Sequence, residues 1–158
     1  MDLSGVGVWS SQLRYGHPAE SAEAAAELEE LGFSALWIPD VGGPVLDSVA
    51  LLLPEQAVLL TDSRDAARAV GTDWLRRYLA LPNYANNLLR SGFTQDDLDS
   101  VSDGLFDAII AWGDGDAVVQ RVNEHRAAGA DHVCVQALAT DPLEFPREQW
   151  RRLAADLT

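Results

Sequence analysis

The chain has 158 residues, of which 47% are hydrophobic, and this length and composition favour one globular domain. Its net charge of −14 argues against nucleic acid or an anionic membrane as a partner, since both bind basic surfaces. A single cysteine, Cys134, excludes an internal disulfide and a zinc site built from several thiolates. No apolar run approaches the ~18 residues of a membrane span, and the first residues lack the pattern of a signal peptide, so we expect a cytoplasmic protein.

The first predicted strand is the short apolar run over residues 5–9. A helix is then predicted to begin at Pro18, because proline is favoured at the first helical position. It is predicted to end at Leu31, with Gly32 in the left-handed conformation just beyond it. The helix is amphipathic. Its exposed face carries Glu20, Glu23, Glu27 and Glu30, and its buried face carries Ala24, Leu28 and Leu31.

The second predicted strand covers residues 35–38, a short apolar run of buried character. Pro39 ends this strand because it cannot donate to a strand ladder. Asp40 and Gly42 follow in a polar loop at the carboxyl end of the strand, where parallel α/β folds build their sites. Asp40 can therefore contact a ligand, or it can simply cap the turn before Pro44.

The rest of the chain alternates between predicted helices and strands. Helices are predicted over about 44–53, 62–82, 116–129 and 142–157, and strands over 56–60 and 132–136. The strand over 56–60, the third in the chain, precedes a helix that carries Ala67, Val70, Trp74 and Tyr78 on one side. Residues 83–113 are predicted to form a helical insertion, which is far longer than a usual connection. The sequence therefore predicts an α/β fold with four parallel strands.

Four stretches resemble one family, the luciferase-like oxidoreductases, and more narrowly the branch that uses the deazaflavin coenzyme F420. They are residues 5–9, residues 29–40, residues 81–93 and residues 129–136. The resemblance covers most of the chain. It implies a (β/α)8 barrel, a cytoplasmic location and hydride transfer with F420, or with a flavin such as FMN.

A (β/α)8 barrel takes about 250 residues, so this chain corresponds to a shortened form. Its four strands match the family's first, second, seventh and eighth, which are contiguous in a closed barrel. Right-handed crossovers favour a strand order that follows the chain, which leaves the first strand (5–9) and the fourth (131–136) at the edges. We therefore expect a half-barrel that a homodimer completes to eight strands, each edge pairing with the partner's.

The resemblance implies four cofactor-binding positions: Trp9, Asp40, Gly42 and Gln136. Trp9 lines a flat-ring pocket or is a packed core aromatic. Gln136 hydrogen-bonds a ring edge or is satisfied by the backbone. No catalytic residue is assigned and no metal site is predicted. Cys134, flanked by apolar residues, is expected to be an inert packing residue.

Two functions remain open. The first is an oxidoreductase whose site lies at the barrel mouth, acting on an unknown small organic substrate. The second is a non-catalytic half-barrel that dimerises and binds a small ligand or none. The family's phosphate-binding loops lie largely in or after the missing strands, and only Arg14 and Arg90 fall near candidate loops, which favours the second.

Overall fold

A computed structural model describes residues 5–15, 17–37, 53–141 and 143–158, and at positions 14 and 15 it describes the backbone alone. Asp40, Gly42 and residues 44–52 of the helix predicted over 44–53 lie outside the described residues, and Leu53 is not helical. The strands are β1 (Val6–Trp9), β2 (Ala35–Trp37), β3 (Glu55–Leu60), β4 (Ile110–Gly113) and β5 (Val133–Ala137). The helices are α1 (Gln12–Tyr15), α2 (Pro18–Glu30), α3 (Arg64–Leu79), α4 (Pro82–Arg90), α5 (Gln95–Ser100), α6 (Asp103–Ile109), α7 (Gly115–Ala127) and α8 (Arg147–Leu157).

Local signals in the sequence set the helix boundaries. α2 begins at Pro18, and the ring of the preceding His17 accepts a hydrogen bond from the backbone N–H of Ala19. Beyond its other end, Gly32 takes a φ of 89°, which confirms the predicted left-handed position. Ser63 caps α3 by accepting from the N–H of Ala66.

None of the helices in the described ranges combines the length and the apolar character required to traverse a lipid bilayer.

The described strands form one five-stranded parallel sheet in the order β2-β1-β5-β3-β4. The predicted parallel α/β fold is therefore confirmed. β5 lies at the centre of this sheet, paired with β1 on one side and β3 on the other. Four of its five residues are buried, as is typical of a strand that helices cover on both faces.

The prediction of four strands was wrong, because β4 lies inside the segment expected to be a helical insertion. Ile109 ends α6 and Ile110 begins β4 without an intervening loop. A short apolar run fits a buried helix or a buried strand equally well by its pattern. Pairing with β3 decides the matter here, since Ile110 to Gly113 lie in register with Ala57 to Leu60.

The predicted order of the strands was also wrong. We expected the first and last strands to be the free edges, but β1 and β5 pair with each other, with Val6 beside Val133 and Val8 beside Val135. The edges of the described sheet are β2 and β4. The most continuously apolar strand is buried at the centre, because both of its faces gain from removal from water. A dimer cannot therefore close through β1 and β5.

The two faces of the sheet carry separate cores. On the first face, Val6, Val8, Val133 and Val135 pack with apolar side chains of α2, α7 and α8, including the fully buried Trp150. On the second face, Ala57 and Leu59 of β3 pack with a group from α3, α6, β4 and the residues that follow α5 and β5. That group comprises Ala67, Leu75, Val101, Phe106, Ile110 and Leu138.

Gly7 permits a close contact on the second face of β1. The indole Nε1 of Trp37, on β2, donates to Nε2 of His132 at 3.2 Å, just before β5. A Cβ at position 7 would lie 2.6 Å from each of these nitrogens. The absence of a side chain at Gly7 therefore lets β2 and the residue before β5 meet across β1.

Gly71 is expected to tolerate alanine poorly, although alanine is the better helix former. A Cβ at this position of α3 would lie 2.6 Å from Cε2 of Phe106 and 2.7 Å from Cδ1 of Ile110, both fully buried. The overpacking cost of about 1–3 kcal/mol exceeds the helix-propensity gain of about 0.5–1 kcal/mol. Gly71→Ala should lower the free energy of unfolding by about 1 kcal/mol, measured by urea denaturation.

Gly104→Ala provides the matched control in α6, because its added Cβ would approach nothing closer than Oγ of Ser102 at 4.0 Å. This variant should be as stable as the wild type or slightly more stable. Equal effects of the two substitutions would contradict the close packing of α3 on β4.

Candidate functional site

A cavity of about 1080 Å³ lies on the second face of the sheet, beside the carboxyl ends of β1 and β5. Trp9, the last residue of β1, and Gln136, near the end of β5, form part of its floor. Because side chains alternate along a strand, both point away from the core that contains Val8 and Val135. Among the described residues, helices cover the second face over β3 and β4 more completely than over β1, and the cavity lies in the space that they leave.

α3 and the start of α4 form an aromatic wall of this cavity. Trp74 and Tyr78 lie one turn apart on α3, with ring centroids 4.5 Å apart. The ring of Tyr78 meets that of Tyr84 edge-on at 5.0 Å. Tyr84 is 44% exposed, so this end of the wall opens to solvent. The wall presents aromatic faces and edges to any molecule that enters.

Glu55, the first residue of β3, also lines the cavity. It lies in register with Cys134 of β5, which places it on the same face as Gln136. Glu55 is exposed to solvent by its accessible surface, yet protein atoms crowd around its carboxyl group, and this partial desolvation raises the pKa of Glu55 from 4.5 to about 7. The carboxyl group can therefore hold or release a proton near neutral pH, a property that clusters at functional sites.

The charge of the Glu55 carboxylate contributes to raising the pKa of two neighbouring groups, Tyr78 and Cys134. Burial, and then the nearby Glu55 carboxylate, raise the pKa of Tyr78 to about 12. The same causes in the same order raise the pKa of the Cys134 thiol to about 12. Both groups therefore stay protonated at neutral pH. The result for Cys134 agrees with its prediction as an inert packing residue, since a reactive cysteine needs a stabilised thiolate.

Gln136 carries an unpaired acceptor. Its Oε1 is buried, and no donor among the described residues reaches it. A buried acceptor without a donor costs about 1–3 kcal/mol. A ligand N–H in the cavity could satisfy this amide once the side chain turns Oε1 toward the cavity, and a hydrogen bond to a ring edge is the role predicted for Gln136.

The cavity brings together two of the four predicted cofactor-binding residues, Trp9 and Gln136. Asp40 and Gly42 lie outside the described residues. Of the two arginines placed near candidate loops, the side chain of Arg14 is not described, and Arg90 ends α4 away from the cavity lining. Of the lining residues that the structure describes, the cationic one is Arg77 of α3.

Sequence reasoning missed Glu55, and it placed Trp74 and Tyr78 on one side of a helix without assigning them to a site. The signal for Glu55 was an acidic residue opening an otherwise apolar strand, directly after Pro54. For the aromatics, the spacing of four residues between Val70, Trp74 and Tyr78 correctly predicted that they share one face of the helix. It gave no indication that this face borders a cavity instead of a core, because both require apolar side chains.

Comparison of the chain with protein-family models, with curated proteins and with solved structures found no match. In the ranges that the structure describes, no group of three or more histidine, cysteine, aspartate or glutamate side chains is arranged to hold a metal ion.

Glu55→Gln is expected to stabilise the protein at alkaline pH. The folded-state pKa of Glu55, about 7, lies above the ordinary 4.5, so the folded state binds more protons between these values and stability falls as the pH rises through that window. Removing the charge should raise the free energy of unfolding at pH 8 by about 1 kcal/mol, after allowance for the partial exposure of the residue. The advantage should shrink as the pH approaches 4.5, measured by urea denaturation of both proteins at each pH.

Glu23→Gln removes the same charge from an exposed position on α2 and serves as the control. A gain for Glu55→Gln that is equal at pH 5 and pH 8, or equal to that of the control, would contradict the raised pKa.

Proposed function

We propose that this chain is a cytoplasmic oxidoreductase of the luciferase-like class, which binds a deazaflavin or flavin ring in the cavity between the sheet and α3. The observation that supports the proposal is the position of Trp9 and Gln136. Both come from stretches that resemble the family, they lie on neighbouring strands, and they line one cavity. When bound, such a ring supplies hydride-transfer chemistry, and the protein supplies binding and orientation.

The cavity residues fit the ring of the cofactor. The volume of about 1080 Å³ slightly exceeds the usual range of roughly 300–1,000 Å³ for small-molecule sites, so the cavity has room for the ring. Trp9 and the aromatic wall of Trp74 and Tyr78 provide flat apolar surface for stacking. The deazaflavin and flavin rings both carry an imide N–H on one edge, and the amide oxygen of Gln136 lacks a donor among the described residues.

The roles of the protein groups follow from their chemistry. Trp9 and Tyr78 hold the plane of a bound ring and exclude water from its faces. Gln136 fixes which edge of the ring points toward β5. Glu55 stands beside this position with a pKa of about 7, so its carboxyl group can hold or give up a proton during a reaction near neutral pH.

A second candidate is a binding protein without catalysis, and the charges of the cavity favour it. Cofactor F420 carries a polyanionic tail, which needs converging cationic groups. Of the described cavity residues, Arg77 is the cationic one, and it shares the lining with Asp73 and Glu55. The ring of the cofactor therefore fits the described cavity better than its tail does.

Titration of the purified protein with F420, FMN and NADPH separates the two candidates. If the first is correct, F420 or FMN should quench the tryptophan fluorescence with saturation below ~100 μM, a level at which a micromolar site is filled. Trp9→Leu should weaken this binding about tenfold through the loss of one stacking surface.

Trp112→Leu is the matched control, because Trp112 lies on β4 outside the cavity lining and donates to Asp107 at 2.9 Å. Its affinity should equal that of the wild type. Absence of binding by all three cofactors at ~100 μM would rule out the oxidoreductase and leave the binding protein.

We also propose that two copies of the chain form a homodimer through their edge strands, as an extension of the half-barrel expectation. In the described sheet β2 and β4 each have one strand neighbour, and open parallel edges invite pairing with another chain. Leu36 of β2 is 41% exposed. A barrel that closes by pairing β2 of one copy with β4 of the other would contain ten strands instead of eight.

The dimer is tested by light scattering at micromolar concentration. The proposal predicts a mass of twice 17.1 kDa, with a larger dimeric fraction at high salt, because salt screens the repulsion between chains of charge −14. Leu36→Lys should shift the protein toward the monomer, since a charge on an edge strand blocks pairing. Leu143→Lys, at a position 77% exposed outside the sheet, should leave the mass unchanged. A monomer at both salt concentrations would contradict the dimer.

A further inference from the structure

Among the described residues, the charged side chains that line the cavity have an acidic balance. Glu55 and Asp73 contribute two carboxylates, and Arg77 contributes one guanidinium group. The Nε of Arg77 donates to the backbone carbonyl of Asp73 at 3.2 Å, which ties the guanidinium to its own helix. The chain as a whole carries a charge of −14, and a field of this sign concentrates cations at concave surfaces.

The aromatic wall provides the second requirement for binding a cation. Trp74, Tyr78 and Tyr84 form a continuous row, with ring centroids 4.5 Å and 5.0 Å apart along it. Trp9 lines the same cavity from the sheet. A cation over the face of tryptophan or tyrosine is attracted by the negative face of the ring, and the attraction strengthens as water is removed.

The polar groups of the floor provide the third requirement. Glu55 offers carboxylate oxygens, and Gln136 has an amide oxygen that receives no hydrogen bond from the described residues. Both groups lie on the same face of adjacent strands, since Glu55 is in register with Cys134 and Gln136 follows two residues later. A ligand that matches this floor donates hydrogen bonds to it.

We propose that the cavity binds a planar organic cation, an aromatic or heteroaromatic ring that carries an amino or ammonium group within reach of the Glu55 carboxylate. Its ring stacks against the wall of Trp74 and Tyr78. This assignment goes beyond the proposed hydride transfer and rests only on the cavity being a binding site. If the protein is a binding protein, the cation is its ligand. If it is an oxidoreductase, the cation competes with the cofactor ring for the wall of Trp74 and Tyr78.

Binding of such a cation depends on the ionisation of Glu55. Among the described residues, the titratable and charged groups around it are Asp73, Arg77 and Tyr78 on α3, Tyr84 on α4 and the adjacent Cys134 on β5. The pKa values of Tyr78 and Cys134, about 12, keep both neutral between pH 6 and 8. Glu55, with a pKa of about 7, gains its charge within this interval.

Isothermal titration calorimetry with two matched probes tests the proposal. The first probe is 2-naphthylmethylammonium and the second is 2-naphthylacetate, which share a ring and differ in the sign of the charge. At pH 8 the cation should bind at least tenfold more tightly than the anion. Between pH 8 and pH 6 the affinity for the cation should fall about tenfold, the loss expected when a required carboxylate has a pKa of about 7.

Two variants complete the experiment. Glu55→Gln should reduce the affinity for the cation at pH 8 about tenfold and abolish its pH dependence, while circular dichroism confirms that the variant is folded. Glu23→Gln, which removes an equal charge from the exposed side of α2, should bind both probes as the wild type does. This control separates the local effect of Glu55 from the overall charge of the chain.

The proposal is overturned if the anion binds as tightly as the cation, if neither probe binds at ~1 mM, or if Glu55→Gln retains the wild-type affinity and pH dependence. Its failure is distinct from that of the oxidoreductase proposal. Binding of F420 or FMN without selectivity for the cation overturns the cation site alone. Selective binding of the cation without binding of any cofactor overturns the oxidoreductase alone.

Discussion

β5 is hydrogen-bonded along both of its edges, to β1 on one side and to β3 on the other. These three strands are far apart along the chain, and pairing with β5 joins β1 and β3 into one sheet. Its valines face a core built by α2, α7 and α8. The interior of the molecule therefore depends on a strand that comes late in the sequence, and contacts of long sequence separation must form before this core is complete.

The position of β5 also explains where the cavity lies. The first face of the sheet is covered by three helices, whereas on the second face the apolar contacts of α3 and α6 centre on β3 and β4. Trp9 and Gln136 consequently border a space and not a closed core. Glu55 stands at the margin of this space, and its raised pKa reflects the withdrawal of water by the surrounding protein. A carboxyl group that costs stability when charged is a local conflict of the kind that natural proteins keep at functional sites.

The sequence predicted the type of most elements and the parallel class of the sheet, because these follow from local patterns. The start of α2 at Pro18 and the left-handed Gly32 are examples. It failed where the outcome depends on distant partners. The run that forms β4 is ambiguous until it pairs with β3, and the place of β5 depends on the burial of both of its faces.

The site was predictable to a similar extent. Strand ends indicated Trp9 and Gln136, since the carboxyl ends of parallel strands lie together at one edge of a sheet. The register that sets Glu55 beside Cys134, and the approach of Tyr84 to Tyr78, belong to the assembled fold and leave no mark in the local pattern. Glu55 thus gains its properties from neighbours that the sequence alone could not place around it.

Gly7 links the centre of the sheet to its margin. Trp37 and His132 meet across it, so the three-residue strand β2 is fastened at the side-chain level to the segment that leads into β5, in addition to its backbone ladder with β1. Any larger residue at position 7 would push against Trp37 and His132, and the strain would fall on the edge strand β2, because β1 stays paired with β5. The side-chain attachment of the edge strand β2 therefore depends on Gly7 of β1, a residue that has no side chain of its own.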